Sequence, residues 1–150
     1  DQALAFVDEA RIQAAAMALG TGQGAFDRAL DYVRQRSQFG KRLAEFQITR
    51  HKLADMAAAL NAARWSVYHA AAAFDGGRCD APTAAAAKLT ATSAAMAVSD
   101  EAVQLLGGYG YMSEYEVEHF YRDAKFLEIF MGTPGVLKDV IAGKLVGKLR

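Results

Sequence analysis

The stretch from Asp80 to Gly108 reads D-A-P-T-A-A-A-A-K-L-T-A-T-S-A-A-M-A-V-S-D-E-A-V-Q-L-L-G-G, and it decides the fold class. Asp80 and Pro82 are typical of a helix N-terminus, because aspartate caps a helix and proline is tolerated in its first turn. The pair Gly107-Gly108 favours a helix end. Between these signals, residues suited to one helical face recur every three or four positions, at Leu89, Thr92, Met96, Ser99, Val103 and Leu106. The stretch therefore predicts a helix over residues 81–106.

On the N-terminal side of this helix, the same period predicts two more long helices. The first covers about residues 3–36 and the second about residues 43–75, where Gly76-Gly77 favours a C-terminal cap. Their apolar stripes are Ile12, Ala15, Leu19, Gly22, Phe26, Leu30 and Val33 in the first, and Phe46, Leu53, Met56, Leu60, Ala63, Val67, Ala71 and Phe74 in the second.

On the C-terminal side, the signals predict two shorter helices. Ser113 and Glu116 have the spacing of a capping box ahead of a helix that begins near Val117. Thr133 followed by Pro134 is typical of an N-cap and a first helical position. The connections between helices are short, which favours antiparallel neighbours. We predict one all-α domain over residues 1–150, an antiparallel helical bundle with no β-sheet.

Composition agrees with this fold and excludes several functions. Alanine, the best helix former, supplies 32 of 150 residues, and there are only two prolines. Seventeen basic and 17 acidic residues balance, which disfavours binding to nucleic acid or to an anionic membrane. No window holds 18 uninterrupted apolar residues, and the lone Cys79 cannot form an intramolecular disulfide. We expect a reducing compartment, the cytoplasm.

A cluster of cations lies at the connection between the first two helices, in R-Q-R-S-Q-F-G-K-R-L-A-E-F-Q over residues 34–47. Guanidinium groups at a helix end suit a phosphate or a pyrophosphate, since they offer paired donors in a fixed fork. On composition alone a solvated cluster is the more frequent case. The order of the letters, however, resembles the R-x-x-F-G-x-x-L-x-x-x-Q segment of the acyl-CoA dehydrogenase family, in its C-terminal helical domain.

Three further stretches resemble the same family in the same order. Residues 103–111, V-Q-L-L-G-G-Y-G-Y, are similar to its Q-x-x-G-G-x-G-[FY] signature. Residues 122–125, R-D-A-K, are similar to its R-D-A-[KR] helix, and residues 130–133, F-M-G-T, stand where the family commonly has Y-E-G-T. The resemblance covers nearly the whole chain. It implies a piece of a larger protein, because the family also has an N-terminal helical domain and a middle β-domain.

The resemblance implies a set of FAD contacts. Arg36 and Gln38 would face the FAD pyrophosphate, while Phe46 and Gln47 would lie near its adenosine part. The residues that would meet the FAD of a neighbouring subunit are Gln104, Leu105, Leu106, Gly107 and Gly108.

The resemblance also implies a substrate site for an acyl-CoA thioester. Asp8 and Arg11 match residues of that site, with Arg11 near the CoA portion. Gly132 would contact the substrate, and Thr133 would contact the flavin.

The catalytic base departs from the family pattern. The usual glutamate is replaced by Met131, whose thioether has no useful proton affinity at neutral pH. Some members carry the base immediately before the matched arginine, which here is Ala10. Glu9 is one place away, a rotation of about 100° around the helix. Asp8 and Glu9 therefore stay as two candidate bases.

Three functions remain open from the sequence. The first is the C-terminal domain of an FAD-dependent acyl-CoA dehydrogenase, which would form a homodimer or tetramer and pass electrons to an acceptor such as an electron-transfer flavoprotein. The second is a catalytically silent assembly subunit, consistent with Met131 and Ala10. The third is a related flavin oxygenase, which removes no α-proton.

Other constellations favour structural roles. Glu116, His119 and Asp123 share a helical face, but a di-iron bundle needs a second E-x-x-H and further carboxylates, so we predict no metal site. Trp65 and Tyr68 have helical spacing and are predicted to be packing residues.

Overall fold

The chain is a bundle of five helices with a small hairpin between the first two. A computed structural model describes residues 2–147, with side chains from residue 6 onward. The elements in chain order are α1 Gln2–Gln35, β1 Ser37–Gln38, β2 Lys41–Arg42, α2 Gln47–Asp75, α3 Ala81–Leu106, α4 Val117–Ile129 and α5 Pro134–Val146. Short 3₁₀ turns cover Leu43–Glu45, Gly107–Tyr111 and Ser113–Tyr115. The predicted all-α bundle is confirmed, and α3 has the predicted bounds.

Helix α3 forms the centre of the bundle. It packs against all four other helices, α1, α2, α4 and α5. Its alanines allow this, since a small side chain lets neighbouring helices approach on several sides. The buried side chains of α3 are Ala84, Ala85, Ala87, Lys88, Ala91, Thr92, Ala94, Ala95, Val98, Ser99, Ala102 and Leu106.

A cluster at one end of the bundle and an ion pair at the other establish the direction of its long helices. At one end, Ile12 of α1 packs in a cluster with Ala70 of α2 and with Ala84, near the start of α3. At the other end, Lys52 near the start of α2 pairs with Glu101 near the end of α3. Helix α2 therefore runs antiparallel to both α1 and α3, as the short connections predict.

The three long helices approach one another closely at Gly22. A methyl group at this position would lie 2.9 Å from Cδ2 of Leu60 and 3.2 Å from the backbone of Ala95. The glycine on the predicted core stripe of α1 thus serves close packing, and a side chain there would push α2 and α3 outward.

The helix termini confirm most of the predicted signals. The Asp80 carboxylate accepts the Thr83 backbone N–H across 3.0 Å, so it caps α3. Gly76 is the C-cap residue of α2, and Gly107, with φ of +61°, is that of α3. Thr133 is the N-cap residue of α5, with Pro134 as its first residue.

Four predictions are corrected. Residues 37–42 form an antiparallel two-stranded hairpin, in which Ser37 pairs with Arg42 and Gln38 with Lys41, so the absence of β-sheet was wrong. The predicted second helix begins at Gln47 rather than 43, because Phe46 is extended (φ −76°, ψ 133°) and separates it from a 3₁₀ turn.

The predicted capping box is the third error. Ser113 begins a 3₁₀ turn, and Glu116 is itself the N-cap residue of α4, in a left-handed conformation with φ of +58°. The Glu116 carboxylate pairs with Arg28 across 2.6 Å, and this contact with α1 competes with local capping. Trp65 and Tyr68 are also not packing residues within this chain, since they are 67% and 58% exposed.

Within residues 2–147, no helix combines the length and the apolar character needed to cross a membrane.

Candidate functional site

The turn between α4 and α5 has an unusual backbone. Met131 has φ of +56° and Gly132 has φ of +112°, so two consecutive residues lie at positive φ. Phe130 closes α4, because its N–H donates to the carbonyl of Phe126 across 2.8 Å. Thr133 begins α5 without using its hydroxyl as a cap, which leaves this side chain available to a ligand. Residue 131 therefore lies at a sharp bend between the end of α4 and the start of α5.

A buried lysine of α3 contacts this turn. Lys88 is 0% exposed, and its Nζ donates to the carbonyl of Gly132 across 2.8 Å and to that of Glu128 across 3.5 Å. Burial lowers the pKa of Lys88, the charge of Arg11 lowers it further, and Glu128 raises it in part. The sequence signal that could have found this residue is that Lys88 is the single charged side chain in residues 81–99.

The residues predicted at the substrate site lie at the same end of the bundle. Arg11 is 8% exposed, and its Nη1 donates to the Asp8 carboxylate across 3.2 Å. Its Nε has no hydrogen-bond partner among the described residues. Asp8 also raises the pKa of the Cys79 thiol, an effect second to burial. The structure thus places Asp8 beside Arg11, and the charge of Arg11 acts on Lys88, which contacts the turn around Met131.

Glu9, the other candidate base, lies on a different side of α1. Its side chain is exposed, and its carboxylate accepts the side-chain amide of Gln13 across 3.1 Å. This bond holds Glu9 along the solvent side of its own helix, whereas Asp8 lies beside Arg11.

The two glycine-containing motifs meet at the opposite end of the bundle. The guanidinium of Arg36 lies over the ring of Tyr109, 5.5 Å from its centroid. Tyr109 packs in turn against Tyr115, with ring centroids 4.8 Å apart, and Tyr32 lies 6.1 Å from Tyr115. Burial raises the pKa of the Tyr32 hydroxyl, and the nearby Arg36 offsets part of this shift. A cluster of three tyrosines, Tyr32, Tyr109 and Tyr115, therefore supports the Arg36 guanidinium through the Tyr109 ring.

The backbone beside Arg36 is open to a ligand. A methyl group at Gly107 or Gly108 would meet no atom within 4 Å, and Gln104 is exposed. Gly110 differs, because a methyl group there would lie 2.4 Å from the carbonyl oxygen of Val103. Gly110 thus allows the segment to fold onto α3, while Gly107 and Gly108 leave an accessible surface.

The hairpin carries the remaining predicted cofactor residues. Gln38 lies exposed on β1, and the ammonium of Lys41 lies 4.2 Å from the centroid of the Phe46 ring. The Glu45 carboxylate accepts the backbone N–H of Arg42 across 2.9 Å, which ties the hairpin to the turn before α2. Gln47 is exposed at the start of α2. Cations, amides and open glycine backbone at one end form a donor set that suits a diphosphate.

The residues around Met131 and the residues around Arg36 lie far apart, at opposite ends of the bundle. Lys88 and Leu106 are eighteen residues apart on α3, which is roughly 27 Å along the helix axis. The sequence did not show that these two groups of residues lie at opposite ends of the bundle. The structure assigns Asp8, Arg11, Met131, Gly132 and Thr133 to one end, and Arg36, Gln38, Phe46, Gln47 and residues 104–108 to the other.

A surface groove of about 500 Å³ lies between α3, α4 and the turn that joins them. Tyr111, Tyr121 and Arg122 line it, together with Asp100 and Glu118. Arg122, the first residue of the R-D-A-K stretch, donates to Glu118 across 2.8 Å. Arg122, Asp123 and Lys125 of this stretch therefore lie on the outside of the bundle, whereas Ala124 is buried in its core.

Comparison with known proteins identifies the family. The sequence profile described as acyl-CoA dehydrogenase, C-terminal domain, matches residues 1–146. The chain therefore belongs to the acyl-CoA dehydrogenase family. Members related to it are FAD-dependent in general.

Individual relatives agree with this assignment. The chain is 47% identical over 143 residues to the short-chain-specific acyl-CoA dehydrogenase of Clostridium acetobutylicum, covering 95% of this chain and 38% of that protein. It is 41% identical over 146 residues to the subunit CarC of the caffeyl-CoA reductase-Etf complex of Acetobacterium woodii, covering 97% and 38%. The structure of butyryl-CoA dehydrogenase from Megasphaera elsdenii superposes with a TM-score of 0.92 at 46% identity, covering 93% and 37%. The chain thus spans less than two fifths of these relatives.

Proposed function

We propose that this chain is the C-terminal domain of an FAD-dependent oxidoreductase that acts on acyl-CoA thioesters. The observation that carries the proposal is the contact between Arg36 and Tyr109, which joins two family motifs beside an open glycine backbone. The domain would supply FAD contacts at this end, acyl-CoA contacts at the Met131 end and an interface between subunits.

The residues of the open end fit the diphosphate and adenosine parts of FAD. Arg36 and Gln38 would bind the pyrophosphate, with Phe46 and Gln47 beside the adenosine. Residues 104–108 would meet the FAD of a neighbouring subunit. The exposure of Gln38, Gln47 and Gln104 supports these roles, because their amides are free to pair with polar edges of the cofactor.

The residues of the other end fit a thioester substrate. Bound FAD would supply an acceptor for the hydride that leaves the β-carbon, and a base of this chain would take the α-proton. The buried Arg11 would approach the CoA portion, and Gly132 would contact the acyl thioester. The free hydroxyl of Thr133 would donate to the flavin. Together these groups would orient the substrate against the ring system.

Asp8 is the better of the two candidate bases. It lies beside the buried Arg11, whereas Glu9 is exposed and bonded to Gln13. Met131 has no proton affinity to contribute. The replacement at position 131 favours one second candidate function, a catalytically silent assembly subunit that keeps the bundle and its interfaces.

The proposed partners follow from the exposed surface and from the relatives. Trp65 and Tyr68 expose large apolar rings on α2, which suits an interface between subunits of a homodimer or tetramer. The Acetobacterium relative belongs to a complex with Etf, which supports an electron-transfer flavoprotein as the acceptor. The cytoplasm is the proposed location.

Anaerobic titration of the native full-length protein with an acyl-CoA tests the proposal. We expect flavin bleaching in the unsubstituted protein, its loss in Asp8→Asn with FAD still bound, and its retention in Glu9→Gln. Loss in Glu9→Gln alone would assign the base to Glu9 instead.

The variant Met131→Glu separates the enzyme from the silent subunit. A carboxylate in an apolar pocket has a raised pKa and suits a general base. Bleaching that appears only in Met131→Glu would favour the silent subunit, and comparable bleaching in both proteins would refute it. The absence of bound flavin in the full-length protein would contradict the main proposal.

A further inference from the structure

Lys88 is the one fully buried ammonium group among the described residues, and the proposed chemistry does not use it. A buried ammonium is costly unless it is paired or hydrogen-bonded. The partners of Lys88 are two backbone carbonyls rather than a carboxylate, those of Glu128 and Gly132. Both carbonyls belong to the segment that joins α4 to α5, so the lysine contacts the turn from the centre of the bundle.

The first carbonyl explains one half of this contact. The last four carbonyls of a helix have no partner within that helix, and Glu128 is the second residue from the end of α4. The nearby Phe126 carbonyl already accepts the N–H of Phe130. Lys88 therefore satisfies a helix-end carbonyl that local backbone bonds leave open.

The second carbonyl explains the other half. The Gly132 carbonyl follows two residues at positive φ, of which Met131 is not a glycine. A left-handed conformation is unfavourable for a residue other than glycine, and it persists only where surrounding contacts hold it. The Leu137 side chain would lie 3.5 Å from a methyl group added at Gly132, so it packs against the turn from α5. Lys88 is the polar contact that holds it from α3.

We propose that Lys88 is a positioning residue that holds the turn over residues 130–133 and so sets where residue 131 and the Thr133 hydroxyl lie. The identity of the ligand that these two residues contact rests on the proposed function, whereas the positioning of the turn by Lys88 does not. Lys88 bonds the turn directly, and the charge of Arg11, the proposed CoA contact, lowers its pKa.

Two variants of the native full-length protein test this role by hydrogen exchange. Lys88→Met keeps the apolar stem and removes the donor. Val98→Ala is the matched control, since Val98 is also buried on α3 but lies ten residues away, roughly 15 Å along the axis. The reporters are the amides of Phe130 and Leu137, which are hydrogen-bonded on either side of the turn.

We expect these two amides to exchange about tenfold faster or more in Lys88→Met, relative to the amides of α2, because a bond to a charged donor is lost. In Val98→Ala the same ratio should stay near that of the unsubstituted protein. Equal ratios in the two variants would overturn the proposal, since Lys88 would then contribute only to general stability.

A spectroscopic measurement extends the test to the ligand. Lys88→Met should weaken the acyl-CoA-induced change in the flavin spectrum while FAD content stays unchanged, and Val98→Ala should leave the change intact. If the unsubstituted protein gives no such change while the exchange ratios differ, the proposed function fails and the role of Lys88 in the turn stands.

If Lys88→Met does not fold, Lys88→Gln provides a shorter, neutral donor for the same exchange measurement. If neither variant folds, the test uses the unsubstituted protein. The exchange rate of the Lys88 ammonium hydrogens is then measured by NMR with ¹⁵N-labelled lysine. Exchange much slower than that of the exposed Lys138 supports a hydrogen-bonded hold, and equally fast exchange overturns it.

Discussion

The guanidinium of Arg36 lies 5.5 Å from the centroid of the Tyr109 ring and joins the end of α1 to the turn after α3. Seventy-three positions separate the two residues in sequence, the difference between their numbers. The contact orients a cation beside Gly107 and Gly108, whose backbone is open. It thus builds one end of the proposed cofactor site from two distant motifs.

Removing this ring is expected to weaken flavin retention more than stability. Tyr109→Leu loses a partly exposed cation–π contact, worth about 0.5–1 kcal/mol, and frees Arg36 to turn toward solvent. We expect a lower FAD content in the purified full-length protein, measured by absorbance. Tyr121→Leu is the control, because Tyr121 has the same 38% exposure but lies on α4. Equal FAD loss in both variants would argue against a role for the Arg36 contact.

Gly22→Ala is expected to destabilise the bundle by about 1–3 kcal/mol, since the added methyl group would overlap Leu60 and press on Ala95. Denaturant unfolding of the native protein, followed by its helical circular dichroism, measures the change. Gly20→Ala on the same helix is the matched control. Its added methyl group meets no atom within 4 Å, so it should raise stability by about 0.4–1 kcal/mol. The same sign in both variants would contradict the close approach at Gly22.

The Asp80 carboxylate is expected to make stability depend on pH in acid. Its hydrogen bonds with Lys144 and then with Thr83 hold its pKa well below the usual value of 3.8. A depressed carboxyl pKa stabilises the folded state fully above the unfolded pKa, and this contribution is lost as pH falls toward the folded pKa. The pair is largely exposed, so the contribution is about 1 kcal/mol or less.

Comparison of Asp80→Asn with the unsubstituted protein isolates this contribution, because asparagine keeps an N-cap acceptor. The difference in free energy of unfolding should shrink as pH falls from about 5 to about 2. A difference that is constant over this range would exclude Asp80 as the titrating group.

Lys88 is expected to make stability depend on pH in alkali. Here burial disfavours the charged form, whereas at Asp80 hydrogen bonds favour it. Because its pKa is lowered by burial and by Arg11, and raised only in part by Glu128, the folded protein releases this proton before the unfolded chain does. Between the folded pKa and the usual value of 10.5, the unfolded state binds more protons, so stability rises with pH. The difference in free energy of unfolding between the unsubstituted protein and Lys88→Met should therefore grow over this window. Urea unfolding at several pH values measures it, and a flat difference would show that Lys88 titrates normally.

Local signals were enough to predict the helices and several of their ends. The Asp80 cap, the glycine end of α2 and the Thr133-Pro134 start of α5 depend on contacts within a few residues, so they can be read directly from sequence. The ordered motifs also identified the family, because their letters and spacing are specific. The same local reasoning failed at Glu116, where the partner of the carboxylate is Arg28 on another helix.

The sequence by itself therefore determined the helical class, the bounds of α3 and the family. Only the tertiary structure decided that α3 is surrounded by four helices and that Lys88 reaches the turn around Met131. The tertiary structure likewise placed Arg36 on Tyr109, at the opposite end of the bundle from the Met131 turn. The physical reason is that helix formation depends on neighbouring residues and periodicity. Burial of a charge and the meeting of distant motifs depend on which helix faces pack together.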